Sequence, residues 1–279
     1  MELGDLFANE KLKAIVTALE SLPSLPSHQE ELMAQLQTTD VSPKMVGETI
    51  GKDLAMSAKI LQLVNSAFFG LRRHVAIPAD AVVLLGLDTI RSLVLTMQVF
   101  SQVAKGDIKG FSQDALLAHS AAVAAVAKKI AAAQGMEPAA SEEAYMAGLL
   151  HDVGKLVFAS ELPEEYAKAR AVAVQDGISC EDAERQVIGA SHGEIGGYLL
   201  GLWAFKAPVV DAAVFHHCPG RHRSEGLTTV TAVHVANAIV HQDLNAEEPT
   251  GLDVDQEYLD RIGVGDRLAA WQDKYKCAA

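Results

Sequence analysis

AYMAGLLHDVGKL, residues 144–156, is the stretch on which the reading of this chain turns. An apolar run built from small residues and leucines leads into His151 and Asp152 side by side, with Gly154 and Lys155 just beyond. The run has the look of a buried helix over 142–151, and the glycine permits a bend after it. A neutral imidazole next to a carboxylate can face one divalent cation, and the carboxylate can bridge two. One His–Asp dipeptide is a weak signal, so its weight depends on what else the chain brings to it.

Upstream, LLAHSAAVAAVAKKI (116–130) places His119 as the one imidazole on a small, apolar helical surface. By itself this residue reads as well as a core histidine bonded to a backbone carbonyl. Downstream come HGEIGGYLL (192–200), which begins with His192, and FHHCPG (215–220), which holds His216 and His217. Neighbours on one helix diverge by about 100°, so only one of that pair is expected to point into a given site. Ser191 with Glu194 three residues later also matches a capping box, which is compatible with a role for His192. His234, Asn237 and His241 share one helical face in the stretch containing VHVANAIV (233–240), and read as a polar face packed near the site.

The surrounding pattern is helical throughout. A long helix is predicted over 112–134, stopped by Gly135, followed by helices over 163–176, 179–189, 191–201, 207–217 and 228–242. In the first half, helices are predicted over 8–22 and 28–37, either side of the proline-marked SLPSLPSHQE (21–30). Another starts at Asp40 or Ser42 with Pro43 in its first turn and breaks near Gly51, and KILQLVNSAFFGL (59–71) continues to a C-cap at Gly70. Asn65 and Ser66 there read as structural, bonding backbone groups at a helix end. Between Pro78 and Phe100 apolar residues fall on almost every side, which predicts central burial, with a helix stop and restart at Gly86 and Asp88. AKGDIKG (104–110) reads as a connection, which sets an N-terminal helical subdomain (1–107) before a helical domain with a C-terminal tail (108–279).

Composition agrees with an all-α fold. Of the 279 residues 49% are hydrophobic but only 5% aromatic, which suits helices packed through small side chains. Twenty-three basic against 36 acidic residues give a net charge of −13 without a basic stripe, which argues against direct nucleic-acid binding. Cys180, Cys218 and Cys277 are an odd number without CxxC spacing, pointing to a reducing compartment. The acidic N-terminus and the lack of an apolar run of about 20 residues predict a cytoplasmic protein with no membrane partner. Ser-His-Asp elbows, P-loops and dinucleotide-binding glycine patterns are not visible.

The order His119, HDVGK, HGEIGG, FHH resembles the HD superfamily of metal-dependent phosphohydrolases. KILQLVNSAFFGL followed by LLGLDTIRSLVL (84–95) is similar to the part of HDOD proteins that precedes their degenerate HD core. The resemblance covers roughly residues 20–240 and rests on several motifs in order. It implies an HD-like helical bundle after a multi-helix subdomain, in a regulatory module of bacterial signal transduction that works through signalling proteins or a bound ligand. An active phosphohydrolase or cyclic (di)nucleotide phosphodiesterase is the alternative. For active relatives it implies His119, His151 and Asp152 at a first metal, with a later Asp; Asn237 stands where that Asp is expected. His192, His216 and His217 resemble the additional ligands of the HD-GYP phosphodiesterases, whose Gly-Tyr-Pro signature is replaced here by CPGRHRSEG (218–226). The implied cofactor is one or two iron, manganese or zinc ions. Asp152 and Lys155 would be the catalytic groups of an active enzyme. Lys155 matches a lysine that contacts substrate phosphate, and equally reads as an ordinary exposed lysine past a helix bend.

Overall fold

The computed structural model describes residues 17, 42–51, 54–65, 71, 74–103, 111–203, 205–223, 225–243 and 254–275. The helices expected over 8–22 and 28–37, the Gly70 cap, the connection near 107 and Cys277 lie outside them. Every regular element among the described residues is helical. These residues fall into two compact units, one holding the described residues from 42 to Gln102 and the other those from Val103 onward together with residue 17.

The first unit contains α1 (Pro43–Gly51), α2 (Leu54–Val64), α3 (Pro78–Leu85) and α4 (Leu87–Val103). Ser42 Oγ accepts from the Met45 amide at the head of α1, as its place before Pro43 predicts. Asn65, just after α2, is structural as expected. Its side chain donates to the Leu61 and Val75 carbonyls at 2.8 Å each, and its Oδ1 accepts from the Val75 amide at 2.7 Å. Gly86, at φ +85°, makes the stop between α3 and α4. One expectation fails here. Val83 is 69% exposed and Leu84 40%, because α3 is only two turns long and buries Ala81 and Val82 alone.

The second unit is the larger. Its helices are α5 (Gln113–Ala133), α6 (Pro138–Leu150), α7 (Val153–Glu161), α8 (Pro163–Asp176), α9 (Cys180–Val187), α10 (His192–Leu202), α11 (Ala207–Phe215), α12 (Thr229–Asp243), α13 (Gln256–Arg261) and α14 (Leu268–Tyr275). Helices α5, α6, α11 and α12 pack against one another as the core, α10 lies on α11 and α7, and α8 pairs with α9. The α5–α6 seam depends on small residues: a Cβ on Gly148 would stand 2.5 Å from Ala124 Cα. Helix α5 is long and apolar enough to cross a membrane, contrary to the sequence expectation, but 67% of its most apolar stretch is buried within the protein. Its alanine-rich faces meet other helices.

Helix α7 has no counterpart in the sequence reading, which passed from 142–151 to 163–176. VGKLVFASE carries no periodic signal because seven of its nine residues are buried. Gly154 also has another role than expected. It does not bend the chain; a Cβ there would collide with the His192 carbonyl, and one on the facing Gly196 would stand 3.0 Å from the Gly154 amide. Two glycines let α7 and α10 cross backbone to backbone, and both helices begin at the site.

Candidate metal centre

Asp152 is the centre of the cluster. It sits in the two-residue step between α6 and α7, beside His151, and is 1% exposed. Its Oδ2 lies 3.3 Å from His151 Nε2, 3.8 Å from His119 Nε2 and 2.9 Å from Lys155 Nζ. Its Oδ1 lies 3.3 Å from His192 Nε2 and 3.5 Å from His216 Nε2. His217 Nε2 completes the second side at 3.2 Å from His192 Nε2. Helix ends deliver most of these groups: His151 ends α6, His192 opens α10, and His216 ends α11. His119 projects from within α5.

The expectation that only one of His216 and His217 reaches the site is wrong. Both rings lie just past the last residue of α11, Phe215, and each reaches the cluster from there. Both Nε2 atoms join the Asp152 cluster.

Three of the rings are held from behind. His151 Nδ1 donates to the Gly148 carbonyl at 2.8 Å and His216 Nδ1 to the Ala213 carbonyl at 2.9 Å, which leaves each Nε2 a bare lone pair. His192 Nδ1 donates to Glu184 Oε2 at 2.7 Å. His151 Nε2 and both Asp152 oxygens have no hydrogen-bond partner in the protein, although Lys155 pairs ionically with Oδ2. Buried groups of this kind are costly unless something satisfies them. Atoms about 2.1 Å from a shared ion stand roughly 3.0–3.5 Å apart, the spacing of Asp152 from His151, His192 and His216, with His119 wider at 3.8 Å. Two overlapping donor sets result: His119, His151 and Asp152, and Asp152, His192, His216 and His217. Asp152 belongs to both, so the set fits one cation or two.

The electrostatics point the same way. Burial alone would raise the Asp152 carboxyl; the nearby imidazole of His151, the ammonium of Lys155 and the imidazole of His192 hold it well below its usual range. Burial disfavours a charged His192, but the Glu184 charge and hydrogen bond and the nearby Asp152 carboxylate push it up to about 10. Burial takes His216 down to about 3, against the pull of the nearby Asp152 carboxylate, with His151 and His192 adding to the fall. Burial, then His216 and His192, hold His217 well below its ordinary value. Two buried carboxylates, Asp152 and Glu184, thus require positive charge between them; a proton on His192 supplies it, and a divalent cation can take its place.

The HDOD domain family matches this sequence over residues 22–219. The chain belongs to the HDOD family. An uncharacterized protein of Treponema pallidum is 26% identical over 236 residues, which is 85% of this chain and 45% of that one, so the chain spans about half the length of the curated relative it matches. A Geobacter sulfurreducens HDOD domain protein of unknown function superimposes with a TM-score of 0.70 at 24% identity, covering 93% of this chain and 87% of its own. A Shewanella amazonensis protein assigned provisionally as a phosphohydrolase gives 0.65 at 26% identity, with 95% and 98% covered. A Marinobacter aquaeolei protein assigned provisionally to signal transduction gives 0.66 at 18% identity, covering 95% and 63%.

Within this HDOD bundle, Asn237 on α12 is buried beside the site, where His119 Nε2 donates to its Oδ1 at 3.0 Å. Lys155 is 7% exposed, which rules out the reading of an ordinary surface lysine. His234 stands behind the site as expected of a packed polar face: its Nδ1 donates to the His216 carbonyl at 2.7 Å and its Nε2 accepts from the Asp255 amide at 2.9 Å. Glu184 was missed by the sequence reading. It precedes its partner His192 by eight residues, on another helix, and a glutamate among the charges of CEDAERQV looks like part of a solvated face.

Proposed function

We propose that this HDOD protein is a signal-transduction module that has kept a two-ion metal centre and uses it on a phosphoester, a nucleotide or cyclic dinucleotide being the substrate class. The observation that carries this reading is Asp152, buried with both oxygens lacking hydrogen bonds and faced on two sides by imidazole Nε2 atoms. His119, His151 and Asp152 would hold one ion, and Asp152, His192, His216 and His217 the other. A divalent metal supplies Lewis acidity toward a phosphoryl oxygen and acidifies water, the chemistry that phosphoester hydrolysis needs. The chain's own contribution is positioning and charge. Lys155, 2.9 Å from Asp152 Oδ2, keeps an ammonium group beside the carboxylate, where it can meet the negative charge of a phosphate. His119 and His217 are the least buried histidines of the cluster, so substrate reaches it from their side. The name given to the Shewanella amazonensis relative accords with this reading.

A second reading rests on Asn237. An amide oxygen at the place expected for a carboxylate lowers the charge of the His119 side, and its bond to His119 Nε2 competes with use of that nitrogen as a ligand. The centre would then bind metal or nucleotide without turnover, and the module would act through a signalling partner, in keeping with the name of the Marinobacter aquaeolei relative.

Elemental analysis of the purified protein and its Asp152→Ala variant, with hydrolysis of bis(p-nitrophenyl) phosphate and cyclic dinucleotides, tests both. Iron, manganese or zinc with hydrolysis, both lost in the variant, is the expected result. Metal without hydrolysis of any substrate favours the second reading. No metal in either protein overturns the two-ion reading and leaves a repurposed scaffold that acts through a nucleotide or a partner.

A further inference from the structure

Among the imidazoles anchored from behind, His192 alone is anchored by a carboxylate. Glu184 Oε2 accepts twice from the same residue, from the His192 backbone amide and from its Nδ1–H, both at 2.7 Å. The amide is the first of α10, so one oxygen satisfies a free donor of the helix start and also sets the ring behind it. His151 and His216, by contrast, lean on neutral carbonyls three residues back in their own chain.

Glu184 is also unusual in its isolation. It is 1% exposed, its Oε1 has no hydrogen bond, and the adjacent Arg185 turns to other groups. Arg185 lies 3.2 Å from Glu181 Oε1, 3.5 Å from Glu194 Oε2 and 3.4 Å from Ser191 Oγ. The Ser191–Glu194 capping box completes this clamp between α9 and α10. The network locks the two helices together and leaves the Glu184 charge directed at His192. If only a cap were needed there, a serine or threonine hydroxyl would do without the cost of burying a charge.

We infer that Glu184 is the positioning residue of the His192–His216–His217 ion position: it keeps the His192 proton on Nδ1, aims Nε2 at Asp152 and raises the donor strength of that ring, without touching metal or substrate. This rests on the metal-centre reading above. Carboxylate backing of this kind typically changes metal affinity about ten- to a hundredfold. Because Glu184 reaches only one of the two donor sets, its loss should be felt on one side of Asp152.

Two variants test it in the full chain. Glu184→Ala removes both bonds; Glu184→Gln keeps an acceptor and removes the charge, and carries the test if the alanine protein fails to fold. Equilibrium dialysis against manganese(II) is expected to show two ions per chain in the wild type. The variants should hold one ion at unchanged affinity and the second about ten- to a hundredfold more weakly. Nitrogen-15 spectra of histidine-labelled, metal-free protein should show a strongly hydrogen-bonded His192 Nδ1 proton, assigned by its absence in His192→Gln, that disappears in Glu184→Ala. Equal binding of both ions in wild type and variants overturns the inference. A wild type that takes no manganese(II) overturns the metal centre instead. The spectra then decide on Glu184 alone, and an unchanged Nδ1 proton in Glu184→Ala overturns its positioning role.

Discussion

The two sides of Asp152 are built differently. On the His119–His151 side the supporting groups are neutral, the Asn237 amide and the Gly148 carbonyl, and His119 remains partly open. On the His192–His216–His217 side a buried carboxylate stands behind the first ring, and His192 and His216 are fully enclosed. One side has an amide where active relatives are expected to have an acid; the other has an acid directed at the His192 ring. Affinity should therefore be unequal, with the first ion held on the Glu184 side.

The largest effect should come from removing what the sides share. Asp152→Ala is expected to abolish both ion positions, whereas His216→Ala removes one, and dialysis with manganese(II) distinguishes two losses from one. Gly154→Ala drives a methyl group into the His192 carbonyl where α7 crosses α10. Overpacking against backbone should cost about 3 kcal/mol in urea denaturation and misalign the sides, so that metal uptake falls with stability. Asn237→Asp should restore charge to the weaker side and tighten its ion about tenfold, with a rise in phosphodiester hydrolysis as the second readout. An unaltered second affinity in that variant would remove the proposed cause of the asymmetry.

The smallest effect is in the pH dependence of the metal-free protein. His216, His217 and His234 have folded values below their ordinary 6.5, so the fold prefers them neutral. Their contribution is complete above 6.5 and declines as pH falls below it, for His216 down to about 3. The depressed Asp152 carboxyl adds a loss at still lower pH, below its ordinary 3.8. His192 has the opposite sign: its contribution is complete below 6.5 and is lost as pH rises toward about 10. Melting temperature with chelator present should thus fall on both sides of neutrality. Saturating manganese(II) should flatten the alkaline limb, since the ion replaces the His192 proton.

The all-α fold was legible because alanine-rich periodicity, prolines at helix starts and glycines at their ends recur along the chain; seven helices of the larger unit occupy segments close to where those marks place them. Helix α7 escaped because burial on all sides erases periodicity. His119, His151, Asp152, His192, His216 and His217 could be picked out by residue type and order, and they converge. Glu184 could not, because its role follows from a helix crossing eight residues before its partner and not from any local pattern. The meaning of Gly154 was also hidden: a glycine in sequence suggests a bend, and only packing shows what a side chain there would strike.

That crossing sets a mechanical tolerance for the site. Side-chain packing can be rearranged by a rotamer change or a lost methylene, but Gly154 and Gly196 place main chain against main chain, which has little room to give. Asp152 and His192 are the residues that precede and begin the two crossing helices, so their separation is gauged by a solid stop. Substitutions elsewhere in the interior can soften the bundle and still return these two groups to the same spacing when it closes.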